Sequence, residues 1–138
     1  MGITVHFEGA LRSEAALDEV RREAAAFASA RGWPVEQVDR DDEVWRDGEP
    51  ERGRVRGVTL EPHARCDPLR LWFDYDLVAA DFCKTQFAGA TVHLDVVRLF
   101  VLLRRCFARL SVSDGTGYFD GRADAQDVLR YFDEAPRL

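Results

Sequence analysis

Apolar and polar residues alternate strictly at the start of the chain. Ile3, Val5 and Phe7 are separated by Thr4, His6 and Glu8, which predicts a strand with one face turned inward. The period then changes. Ala16, Leu17, Val20, Ala24, Phe27 and Ala28 recur at helical spacing and predict a helix ending near Ala30. Ser13 suits its N-cap, Glu14 suits the positive end of its dipole, and Gly32 suits its termination.

Trp33 to Val38 predicts a second strand, and Arg54 to Leu60 a third, with Val55, Val58 and Leu60 inward. Residues 39–53, DRDDEVWRDGEPERG, are dense in charge and carry two glycines and a proline. They are expected to form an exposed excursion, with a hairpin carrying Val44 and Trp45 as one form it can take. Glu61 to Pro68 is a loop bounded by prolines. Leu69 to Tyr75 and Val78 to Phe87 predict two more strands, joined near Asp76.

Thr91 to Leu110 has the clearest helical pattern. Asp95, Arg98, Arg105 and Arg109 fall in one narrow stripe, while Val96, Val97, Leu99, Phe100, Leu103, Cys106 and Phe107 occupy the rest. A stripe that thin predicts a mostly buried helix lying across a sheet. His93 and Arg104 share an azimuth facing the sheet. Val112 is expected to start a short strand, residues 114–117 a turn, and Asp124 to cap a final helix with Val128, Leu129 and Phe132 inward. The whole order predicts an α+β two-layer sandwich, residues 1–138 as a single domain. Its mainly antiparallel sheet has about five strands, with a long helix and one or two further helices on one face.

Composition narrows the classes of function. The chain has 138 residues, 46% hydrophobic and 32% charged, enough apolar surface to fold without a metal or disulfide. A net charge of -6 disfavours phosphate backbones and hence nucleic acid. Of nineteen basic residues only Lys84 is a lysine, a bias that points to GC-rich coding and a bacterial source. The longest apolar run, Leu99 to Leu103, is too short to span a bilayer. The segment MGITVHFEGAL lacks the features of a signal peptide. Cys66, Cys83 and Cys106 show no CxxC or zinc spacing and fall on an expected loop, strand and helix. They predict three free thiols and a reducing, cytoplasmic setting. No cofactor motif is present.

Candidate chemistry centres on Cys83-Lys84-Thr85-Gln86-Phe87-Ala88-Gly89, a strand end opening onto a helix. Lys84 and Gln86 would share a face. Gly89 permits close approach, and Thr91 can cap the helix, leaving free N–H groups that attract an anion. His93 falls in the first turn, facing inward. In SDGTGYFDG, Asp114, Tyr118 and Asp120 sit among three glycines, with spacing wrong for a calcium loop or a phosphate loop. His63, Cys66 and Asp67 are too few to predict a metal site. Arg52, Arg54 and Arg56, interspersed with Glu49 and Glu51, read as a solvated charged edge.

The segments KTQFAG (84–89), His93 and SDGTGYFDG (113–121) resemble a group of small bacterial proteins that carry KTQFAG before a helix with a histidine, then an SDEGGYWE-like turn. In this chain Gly115-Thr116 stands where that group has an acid and a glycine, and Phe119 where it has a tryptophan. The resemblance spans roughly residues 55–135. It implies a shared fold and a shared site, and carries no activity.

Three functions are then open. The first is a binding or regulatory module with a polar, anion-binding pocket at 84–93, lined by Lys84, Gln86, Gly89, Thr91, His93, Asp114 and Tyr118. The second is an enzyme with His93 as general acid/base, Asp114 orienting it and Lys84 stabilising charge. The third is a protein that binds or inhibits a partner through the acidic 39–53 excursion and an exposed sheet face. The partner is accordingly a small anionic ligand or another protein.

Overall fold

The computed structural model describes residues 3–46 and 48–134, with side chains at 44–46 outside that description. The side chains of Val44 and Trp45, expected on a hairpin of the excursion, therefore lie outside that description.

Among the described residues the elements are β1 (Thr4–Leu11), α1 (Glu14–Ala30), β2 (Val35–Arg46), β3 (Glu49–Leu60), β4 (Leu69–Phe73), β5 (Val78–Lys84), α2 (Ala90–Leu103), β6 (Phe107–Ser113) and α3 (Ala125–Glu134). A short 3-10 turn, Arg104–Cys106, joins α2 to β6. The class is α+β, as the alternating periods require. The single sheet of about five strands is corrected: six strands form two antiparallel three-stranded sheets, ordered β5-β1-β6 and β2-β3-β4.

α1 begins where the Ser13 hydroxyl accepts the Ala16 N–H at 3.2 Å. It ends where Gly32, at φ +72°, and Trp33 return their N–H groups to Ser29 and Ala28, the backbone geometry that glycine favours after a helix. Ala16, Leu17, Val20, Ala24 and Ala28 are buried. Ion pairs tie this helix to its neighbours: Glu14 to Arg56 on β3 at 2.7 Å, Arg31 to Asp95 on α2 at 3.3 Å, and Glu19 to Arg105 at 3.0 Å.

The 39–53 excursion is part of a continuous ladder. β2 and β3 run twelve residues each, with Asp39 opposite Arg56, Asp41 opposite Arg54 and Glu43 opposite Arg52. Cross-strand opposite charges favour pairing, so the exposed excursion takes the hairpin form and continues the sheet. Arg54 donates to both Asp39 carboxylate oxygens at 2.8 and 2.9 Å.

The long helix is also corrected. α2 stops at Leu103, and residues 107–113 pair with β1. Phe107 and Leu110 fit either period, and the free edge of β1 decides in favour of the strand. Gly9 makes the close approach possible, since a Cβ there would lie 2.7 Å from the Arg109 carbonyl oxygen and 2.9 Å from the Phe107 ring. Arg104, freed from the helix face, is exposed with its guanidinium 4.4 Å from the Phe119 ring centre. Arg109 pairs with Glu8 across the new ladder.

A seam separates the sheets. β4 and β5 are joined by a turn in which Asp74 donates to Val78 and Leu77 donates to Asp74. β5 then pairs with β1 instead of β4. Arg70 on β4 reaches Asp81 on β5 at 3.0 Å. One apolar core runs beneath both sheets, including Val5, Phe7, Leu60, Leu71, Phe73, Leu99 and Phe100. In α3, Val128 is buried and Leu129 is 39% exposed, so the inward face is narrower than expected.

Candidate functional site

The strand-to-helix junction brings polar groups together: the expected His93 and Asp114, with Thr85 added. β5 ends at Lys84, and the chain turns through Ala88, which donates to the Thr85 carbonyl at 3.0 Å. Gly89, at φ +98°, is the N-cap of α2, and His93 donates its N–H to the Gly89 carbonyl. Thr91 is therefore not the cap; it lies exposed in the first turn.

His93 is wholly buried. Its Nδ1 lies 2.7 Å from the hydroxyl of Thr85, which is also wholly buried. The direction of that hydrogen bond sets the tautomer of the ring. On the other side, Nε2 is 3.6 Å from Asp114 Oδ2, too long for a hydrogen bond. Among the described residues Nε2 has no hydrogen-bond partner. Phe132 of α3 covers the ring edge-on, with centres 5.2 Å apart.

Asp114 is 3% exposed. Its Oδ1 accepts the N–H groups of Thr116 and Gly117 at 3.1 and 2.9 Å, and its Oδ2 accepts the Thr116 hydroxyl at 2.9 Å. Burial pushes the carboxyl toward the neutral form. His93, the Thr116 hydroxyl and the two backbone N–H groups outweigh it and hold the acid well below its usual range. A charged Asp114 thus fixes its own glycine-rich loop and faces His93.

The other expected residues make contacts of their own. Lys84 is half-buried with its ammonium 5.3 Å from the Phe87 ring centre, and its backbone N–H donates to Asp67 at 3.0 Å. The Gln86 side-chain oxygen accepts the Ile3 N–H at 3.2 Å, tying the junction to the start of β1. The Tyr118 hydroxyl accepts from Arg98 at 3.2 Å.

Outside this buried trio, the same loop lines an open depression of about 350 Å³ with Asp114, Gly115, Thr116, Gly117, Asp120 and Arg122. Arg122 and Asp120 pair at 2.9 Å at its rim. A second hollow of about 410 Å³ lies at the seam, lined by Arg70, Trp72 and Asp81 among others. Among the described residues no group of three or more His, Cys, Asp or Glu is placed to hold a metal. No helix among them is long and apolar enough to cross a membrane.

Sequence reasoning missed Thr85, Phe132 and Arg122 as parts of this region. Thr85 follows the last residue of β5 and is wholly buried. The signal that could have found it is the need of an inward His93 for a partner on the preceding strand. Comparison with protein-family models, curated proteins and solved structures gives no match.

Proposed function

We propose that the protein is a binding or regulatory module that seats a small ligand bearing an anionic group on loop 113–122. The observation that best supports this is the division of the loop at Asp114. That carboxylate is buried and spent on holding the loop, while Arg122 stays 76% exposed at the mouth of the depression. A loop already held in one shape loses little freedom on binding. An exposed ion pair such as Arg122–Asp120 costs only about 0–1 kcal/mol to exchange. Arg122 would take the anionic group and Asp120 a donor on the same ligand. Lys84, Gln86, Gly89 and Thr91, at the junction on the other side of Thr85, form the alternative anion seat.

The test is thermal unfolding in inorganic phosphate at fixed ionic strength. Stabilisation in wild type that is lost in Arg122→Ala and kept in Lys84→Ala supports the loop seat. The reverse pattern moves the seat to the junction. Equal response of all three proteins removes the anion site.

A second reading has one observation in its favour. The unpartnered His93 Nε2 is the atom a general acid/base would use, with Asp114 behind it. Burial of His93, Thr85 and Asp114 together argues for a polar clasp between β5, α2 and the loop. The third reading is supported less, because Asp39, Arg54, Arg56 and Arg40 on the hairpin are engaged in ion pairs.

A further inference from the structure

Two thiols that the chain order separates meet beside the seam. Cys66, in the loop before β4, places its Sγ 3.4 Å from Sγ of Cys83 on β5. Cys83 is fully buried and also lies 3.4 Å from the Asp67 carbonyl oxygen. Cys66 is half-buried and follows the exposed Arg65. One S–H can bridge the two sulfurs, and when Cys83 donates it, the negative charge falls on Cys66. That hydrogen bond lowers the Cys66 thiol below its ordinary value, against burial and the nearby Asp67. The same contact, with burial, pushes Cys83 far up. The more accessible sulfur is therefore the nucleophile, and the buried one is placed to resolve it.

We propose that Cys66 and Cys83 are a reversible, peroxide-responsive dithiol that closes to a disulfide beside the seam between the two sheets. The Cys66 thiolate attacks one oxygen of hydrogen peroxide. The O–O bond breaks, and the departing hydroxide takes a proton to leave as water. Cys66 is now a sulfenic acid. The Cys83 sulfur then bonds to the Cys66 sulfur, the S–O bond breaks, and the hydroxyl leaves with the Cys83 proton as a second water. The two sulfurs together lose two electrons, and the peroxide gains them. A dithiol reductant returns both thiols by exchange.

The sulfurs must close from 3.4 Å to about 2.0 Å. The movement falls on the irregular loop 61–68, where Cys66 is held by a single turn from its N–H to the His63 carbonyl at 3.2 Å. β5 is laddered to β1 and stays in place. The bond would join the loop entering one sheet to a strand of the other, where the backbone ladders are separate. The three thiols expected to be free are free in the structure, and two of them, Cys66 and Cys83, are in contact.

The experiment uses the reduced full chain, treated with a small excess of hydrogen peroxide, denatured and capped with N-ethylmaleimide. Intact mass should show labelling fall from three thiols to one, with the loss of two hydrogens. A peptide map should join 66 to 83, and dithiothreitol should restore all three labels. Cys66→Ser and Cys83→Ser should each abolish closure, and Cys106→Ser should leave it intact. Three persistent labels, oxygen adducts without a cross-link, or a cross-link to Cys106 would each overturn the proposal. So would closure at the same rate in urea, because the folded contact would then contribute nothing.

Discussion

Asp114 shows how a single carboxylate can serve a fold while lying beside a cavity. Its folded value is depressed, so its contribution is complete above the unfolded pKa of about 3.9 and is lost as pH falls through the folded value. Asp114→Asn should therefore lower the urea midpoint by a constant amount between pH 7 and pH 5. The gap should narrow only in acid below about pH 4. A gap that closes between pH 7 and 5 would mean the acid is not held charged. Asn keeps an oxygen for the two N–H groups but loses the charge and the oxygen that accepts the Thr116 hydroxyl, which should cost about 1–3 kcal/mol at neutral pH. Phe100 supplies the apolar counterpart. It is fully buried with its ring 4.8 Å from Phe7, and Phe100→Ala should cost about 3–5 kcal/mol. Arg98→Ala, 47% exposed on the same helix, should change stability by less than about 0.5 kcal/mol. Urea melts of the two variants give the comparison directly.

At the scale of elements, β6 depends on a missing side chain in another strand. Gly9→Val places atoms against the Arg109 carbonyl and the Phe107 ring, and should cost at least about 1–3 kcal/mol by overpacking. If Gly9→Val melts like wild type, β6 does not approach β1 as closely as described. The elements whose pattern has one physical cause were legible from sequence: β1 from its alternation, α1 from its cap, stripe and terminal glycine. Two features were legible only in part. The hairpin of 39–53 was one form open to the excursion, but its register depends on acids of one strand meeting arginines of the other, which composition alone does not order. The end of α2 depends on the open edge of β1, which lies about a hundred residues earlier. Phe107 and Leu110 satisfy a helix as well as a strand. The site was legible in the same uneven way. His93 and Asp114 stood out by residue type, but the Thr85 partner and the Cys66–Cys83 contact come from tertiary packing that no local spacing encodes.

At the scale of the molecule, two sheets share one core, which contains residues from β1, β3, β4, β5, α1 and α2. Unfolding should then be a single transition. Trp33, packed against Phe27, and Trp72, whose indole N–H donates to Thr59, both report on the region of the β2-β3-β4 sheet. Their fluorescence should lose its native signal at the same urea concentration as the far-ultraviolet circular dichroism. Separate midpoints would show that the sheets melt independently.

The position of β1 between β5 and β6 also sets an order of events in time. β2, β3 and β4 follow one another and pair with their sequence neighbours, so they can zip through short connections. β1 has no such neighbour. Ile3 meets Gln86 across 83 residues, and Glu8 meets Arg109 across 101. Such distant closures cost chain entropy before any contact offsets it, and they slow folding. The β2–β3 hairpin should acquire amide protection early in refolding, and the amides of β1 should acquire it last. Until then an apolar strand waits with both edges unsatisfied, which makes the interval before its partners arrive the time when this chain is most exposed to self-association.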